Sequence, residues 1–134
     1  MSTLKVNTIQ NTSAAHSSTP EEIAQGRAKV WVCFNGTTVT SSADMTGVRD
    51  SFNVSSVVDS GTGLYKINFS ITFANTNFCV LGMSSDAQTQ FGAYMVDLSS
   101  NSSHTRTTSS VSVFTSSSQA LMDTTFNNVV VFGD

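Results

Sequence analysis

His16 and His104 are the side chains best suited to proton transfer near neutral pH, and both lie in runs of serine and threonine. Nucleophilic catalysis by serine needs a histidine base at its side and a carboxylate that orients the base. With 23 serines among 134 residues, a serine near a histidine carries almost no information. The sequence has no Gly-x-Ser-x-Gly elbow to expose such a nucleophile on a strand-to-helix turn. Both histidines are expected on surface loops. Asp44, Asp50, Asp59, Asp86, Asp97 and Asp123 fall one per turn or strand end. A glycosidase needs two carboxyls facing one bond, and a calcium loop needs Asp-x-Asp-x-Asp-Gly spacing. Neither pattern is present, whereas aspartate in a turn accepts a hydrogen bond from backbone nearby. A Gly-x-x-x-x-Gly-Lys phosphate loop is also missing, which removes the usual nucleotide signature. The expectation is a protein that is not an enzyme and uses no cofactor and no metal.

Cys33 and Cys79 are the two cysteines, each inside an apolar strand-like run, Val30 to Phe34 and Phe78 to Leu81. Two thiols do not make a zinc site. They read as buried free thiols acting as small hydrophobes, with a disulfide between neighbouring strands as the alternative. Five Asn-x-Ser/Thr triplets begin at Asn11, Asn35, Asn53, Asn68 and Asn101. In so Ser/Thr-rich a chain they arise by chance.

The charged fraction is 11%, against roughly 25% in an ordinary soluble domain. Polarity is carried by Ser, Thr and Asn, 51 residues in all, which suit strand surfaces and turns and compete with the backbone inside helices. The net charge is −3, and the cations nearest to a cluster are the spaced Arg27 and Lys29. Phosphate binding needs clustered cations, so nucleic acid is excluded as a partner. An apolar run of the roughly 20 residues needed to span a membrane is absent. The first residues lack the apolar core of a signal peptide, so the chain is expected to be made and kept in a cytoplasm.

The elements that would position any of these side chains are strands. In Tyr65-Lys66-Ile67-Asn68-Phe69-Ser70-Ile71-Thr72-Phe73 apolar and polar residues alternate without a fault, which gives a strand one apolar wall and one polar wall. This is expected to be the central strand. Val30 to Phe34 is apolar on both faces, Val30, Val32 and Phe34 on one and Trp31 and Cys33 on the other. Such a strand must be covered twice, and a small β-domain covers it only once, so an intersubunit contact is inferred through Val30, Trp31, Val32 and Phe34. Further strands are expected over Val48 to Val58, with Phe52, Val54 and Val58 inward, and over Phe78 to Met83, Gly92 to Leu98, Val111 to Thr115 and Asp123 to Phe132. Thr37 to Gly47 reads as a polar loop, and Ser116 to Ser118 as a turn.

Thr19-Pro20-Glu21-Glu22-Ile23-Ala24-Gln25-Gly26 is the one clear helix signal: a cap, a proline in the first turn, two acids at the positive end and a terminal glycine. Ahead of it, Leu4, Val6 and Ile9 are apolar residues in an arm too poor to fold alone, and are expected to be clamped by something outside the domain. The fold class is all-β: an antiparallel, jelly-roll-like β-sandwich of about seven to nine strands, with an extended N-terminal arm and one short helix. The arm and helix take residues 1–26 and the sandwich 27–134.

Leu4 to Asn11, Ser18 to Thr37, Val48 to Ser56 and Gly61 to Phe69 carry a more specific signal, centred on Arg27-Ala-Lys-Val-Trp-Val-Cys-Phe-Asn-Gly-Thr37. They resemble the tail-fibre-like virion proteins of tailed bacteriophages, especially those of marine cyanobacteria. The likeness covers about the first half of the chain, and Cys33 departs from it where a polar residue is expected. It implies a homotrimer, a role in the particle rather than catalysis, and a virion location after assembly in the host cytoplasm. In long fibres such a module closes a much larger chain. Standing by itself, it leaves Leu4, Val6 and Ile9 as the expected anchor on neighbouring virion proteins, by strand addition. Loops 37–47, 84–91 and 99–110 would then project outward, and Asn101, His104 and Arg106 are the candidate residues for meeting a host-surface glycan. The competing readings are a free carbohydrate-binding β-sandwich module and a small depolymerase, the latter disfavoured by its scattered carboxylates.

Overall fold

The computed structural model describes residues 5–10, 17–85, 94–97, 106–117 and 120–133. Leu4, His16, Asp86, Asn101 and His104 lie outside them. β1 (Ile9–Gln10) and β2 (Ser17–Ser18) pair with each other as a separate two-stranded sheet, Ile9 opposite Ser18. α1 (Pro20–Gly26) follows, capped as its spacing predicts. The Glu22 N–H donates to Thr19 Oγ1 at 3.1 Å, and the Thr19 N–H donates to Glu22 Oε2 at 2.7 Å, the reciprocal pair of a capping box. The backbone bond from Thr19, then its hydroxyl, holds the Glu22 carboxyl below the usual carboxylate range. α1 buries none of its residues.

The rest of the described chain forms two antiparallel sheets with the core between them, an all-β sandwich. β3 (Val30–Phe34), β4 (Val48–Phe52), β7 (Cys79–Ser85) and β11 (Phe126–Phe132) make a four-stranded sheet in the order β4-β3-β11-β7. β5 (Val54–Gly61), β6 (Leu64–Phe69), β8 (Tyr94–Asp97), β9 (Ser110–Ser117) and β10 (Ala120–Leu121) make the other, in the order β10-β9-β6-β5 with β8 also on β9. Val57, Tyr65, Ile67, Phe69, Val111 and Val113 face Val30, Val32, Phe34, Val129 and Val131 in one buried cluster. Each such side chain is worth roughly 1.5–3 kcal/mol of apolar transfer, as an upper limit. The Phe34 and Tyr65 rings meet edge to face across the sheets at 5.0 Å.

β6 is an interior strand, flanked by β5 and β9. The alternating run ends as a strand at Phe69 and not at Phe73. Phe73 is nonetheless buried, in the connection that follows, where its N–H donates to the Thr108 carbonyl at 2.9 Å and its ring packs on Phe69 and Phe78. The Val48 to Val58 run divides into β4 and β5, which belong to different sheets. The corner is Asn53, at φ 57°, a conformation asparagine tolerates better than most residues. Asn53 Nδ2 donates to the Lys29 carbonyl at 2.7 Å and its own carbonyl accepts from the Ser70 N–H at 3.0 Å. Two sequence expectations are inverted: with the change of sheet Phe52 points away from the core and is exposed, and with the register shift between Val54 and Ser56 the inward place expected for Val58 falls to Val57, leaving Val58 opposite Lys66. β9 runs on through Ser117, and β10 is a short strand that the expected turn at Ser116 to Ser118 conceals.

Candidate interaction surface

Three of the aspartates are used locally. Asp44 accepts from the Thr46 N–H, Asp50 from the Ser51 N–H and Asp59 from the Gly61 N–H, each at 2.8 Å. The bond from the Thr46 backbone lowers the Asp44 pKa. Among the described residues no group of three His, Cys, Asp or Glu side chains converges as a metal site, and no described helix is long and apolar enough to cross a membrane.

Asp123 is different, because it ties together residues far apart in sequence. Its Oδ1 accepts from the Tyr65 hydroxyl at 2.8 Å and from the Gly63 N–H at 2.7 Å. Tyr65 is fully buried. Burial first, and the Asp123 carboxylate second, push its hydroxyl pKa up, so it stays protonated and donates. Gly36 lies against the same hydroxyl: a Cβ there would sit 2.2 Å from it. The Gly36 N–H donates to the Thr124 carbonyl at 2.9 Å, and the Asn127 amide, also fully buried, exchanges two bonds with Thr124. The Asn35-Gly36 turn signal therefore has its reason in close packing. This network closes one end of the sandwich, and its polar atoms face one another.

The cysteines are both free, Cys33 half-buried and Cys79 exposed. The expectation of two buried thiols is corrected: in β3 the odd-numbered residues point away from the core, and Cys79 begins the edge strand β7. Of the anchor residues, Val6 and Ile9 are exposed. Of the loop residues, Arg106 lies against the body of the domain: its Nη1 donates to the carbonyls of Phe78 at 2.6 Å and Thr76 at 3.2 Å, and its guanidinium lies 4.7 Å from the Phe78 ring centroid.

The predicted interface strand is split by its own alternation. Val30, Val32 and Phe34 are buried in the protomer's core, which takes them out of any surface through which copies could meet. Trp31 is half-buried on the other face. There the ladder sets Phe52 opposite Trp31, Trp31 opposite Val130, and Val130 opposite Leu81. Directly opposed residues share a face, so one apolar row crosses all four strands. The adjacent row is Asp50, Cys33, Asn128 and Met83. Phe126 and Phe132 flank these rows along β11, and the Arg49 guanidinium lies 4.2 Å from the centroid of the Phe126 ring. A register shift between Cys33 and Phe34 marks a bulge in the β3–β4 ladder. It explains why Arg49 and Asp50, though consecutive, both reach this side.

Phe52, Leu81, Met83 and Phe126 are 49, 57, 76 and 44% exposed. With half-buried Trp31, Val130 and Phe132 they form a patch on the order of 600 Å², the upper end of what a monomer usually leaves bare. At the β7 edge the patch sinks into a hollow of about 440 Å³ lined by Leu81, Gly82, Met83, Asn128 and Val130. A second, more polar hollow of about 480 Å³ lies between Gln25, Asn75, Asn77, Cys79, Phe132 and Gly133.

Comparison with known protein families, with characterised proteins and with solved structures finds no match to this chain. The surface rests on its own geometry. Sequence reading found Trp31 but missed Phe52, Leu81, Met83 and Val130, whose kinship lies in cross-strand register. The signal that could have found them was a second apolar alternation, Leu81 with Met83 and Val130 with Phe132, out of phase with the core.

Proposed function

We propose that this chain is a structural virion protein of a tailed bacteriophage: a fibre, fibre-tip or head-surface protein, built as a homotrimer of jelly-roll-like sandwiches. The observation that carries this reading is a four-stranded sheet apolar on both faces in a domain with only one core to offer it. A two-sided apolar sheet is stable in water when something covers its second side. The N-terminal segment adds support. α1 buries nothing, and Val6 and Ile9 are exposed, apolar side chains that a neighbouring virion protein would cover. In this reading residues 1–19 hold the chain on neighbouring virion proteins, and loops 37–47, 84–91 and 99–110 face the host. The sequence likeness to tail-fibre-like proteins points the same way.

The test is assembly. The full chain should be a trimer by light scattering and a stoichiometric component of its particles. A chain lacking residues 1–19 should keep its β spectrum and be missing from particles. A truncated chain that still assembles overturns the anchor, and a monomeric full chain overturns the oligomer.

A second reading has one observation in its favour. Trp31 and Phe52 lie side by side on an exposed sheet face with Asp50 and Asn128 in the adjacent row, the sort of aromatic platform on which a sugar ring stacks. A monomer that binds glycans without turning them over would favour that non-catalytic carbohydrate-binding module.

A further inference from the structure

We propose that copies of this chain meet across the outer face of the four-stranded sheet, Phe52 of one copy entering the Leu81–Met83 hollow of another. This rests on the self-assembling reading above and names the surface that does it. Three observations carry it. The first is area: a patch on the order of 600 Å² approaches the roughly 800 Å² that each partner covers in a standard protein interface. The second is shape. Phe52, half exposed, stands on the β4 edge, and the apolar hollow of about 440 Å³ lies at the β7 edge of the same face. The two edges are three strand spacings apart, about 14 Å, so one chain cannot fill its own hollow. The third is charge. Asp50 lies on β4 opposite Cys33 and the Arg49 guanidinium reaches over the Phe126 ring of β11, so the face brings one anion and one cation to the approaching copy.

A projection and a hollow on opposite edges of one face can be satisfied reciprocally across a two-fold axis parallel to the strands, or successively around a ring or along a filament. In the homotrimer proposed above the contact runs around a three-membered ring. Three sheets around one axis would bury the Trp31 row as a shared inner core. A two-fold pairing would make the same Phe52-to-hollow contact twice in a dimer, and the mass of the oligomer by light scattering tells dimer from ring.

The experiment replaces Phe52 with the photoreactive p-benzoyl-phenylalanine in the full chain, irradiates, and maps the adducts in a mixture of isotopically light and heavy protein. The expected result is light–heavy adducts at Leu81 to Met83, together with Phe52→Asp and Met83→Asp variants that run as folded monomers. Adducts at residues 50–54 of the second copy would mean that like edges meet, and adducts elsewhere another surface. Either outcome overturns this docking. An oligomer that survives Phe52→Asp overturns the docking while leaving self-assembly standing. A wild-type chain that is monomeric at every concentration overturns both.

Discussion

The two sheets turn opposite outer faces to their surroundings. Outside the five-stranded sheet, Ser56, Asn68, Lys66, Ser110 and Ser112 fall in register on one side, and Asn68 Nδ2 donates to Ser56 Oγ at 2.8 Å. Outside the four-stranded sheet the corresponding positions are Phe52, Trp31, Val130, Leu81 and Met83. Inward, both sheets are built alike, from valines and aromatics. The five-stranded sheet is more polar outside without being all water-facing: Ser56, Ser110 and Ser112 are buried there, and Val58 and the opposed pair Leu64 and Phe114 share that side. The four-stranded sheet differs in carrying large apolar side chains that are exposed, Phe52, Leu81 and Met83 among them, the surface through which we propose that copies meet.

The comparison can be broken most severely from inside. Ile67→Ala and Phe34→Ala remove fully buried side chains from the two inner faces and should cost about 2–5 and 3–5 kcal/mol in urea unfolding. A loss under ~1 kcal/mol in either would mean that the core is not shared as described. Tyr65→Phe should cost less, about 1.5–3 kcal/mol, since it takes one charge-assisted bond from Asp123 while the ring keeps its place. Unfolding indistinguishable from wild type would remove that network as a tie between the sheets. Leu81→Asp, on the outer face, should change the stability of the separated domain by about 0.5 kcal/mol or less while dispersing the oligomer. If it unfolds the domain instead, the outer face belongs to the core after all.

The smallest effect belongs to the helix. The bonds from Thr19 lower the folded-state pKa of Glu22 beneath the ordinary value of 4.5 that the carboxyl takes in the unfolded chain. Its contribution to α1 is therefore fully present above that ordinary value and is lost as the pH falls through the folded one. The protection factors of the α1 amides, taken against the intrinsic exchange rate at each pH, should fall in acid, and Thr19→Ala should remove that dependence. Because α1 buries nothing, the unfolding midpoint of the sandwich should stay where it is. A shift of that midpoint would show that the helix is docked.

Local patterns exposed most of the fold. The alternation in Val30 to Phe34 and in Tyr65 to Phe69 places each of those side chains on its observed face, and the Thr19 capping signal sets where α1 begins. Non-local geometry stayed hidden. Asn53 lies inside an apolar run and reads as part of one strand, yet its positive φ carries the chain from one sheet to the other and turns Phe52 outward. Tyr65 and Asp123 are 58 residues apart, and no spacing rule joins them. The thiols were misjudged because an apolar neighbourhood in sequence does not say which face a residue takes. The outer row is assembled by register from four separate strands, so none of its members is unusual in its own segment.

Trp31 is the sole tryptophan and stands in the middle of that row, which makes its fluorescence the most direct report on whether the outer face is covered. Raised through the concentration at which copies associate, the emission should move to shorter wavelength with no change in the far-ultraviolet circular dichroism, and Leu81→Asp should hold it at the dilute value. Emission that stays the same from the most dilute to the most concentrated sample would mean that nothing closes over the row.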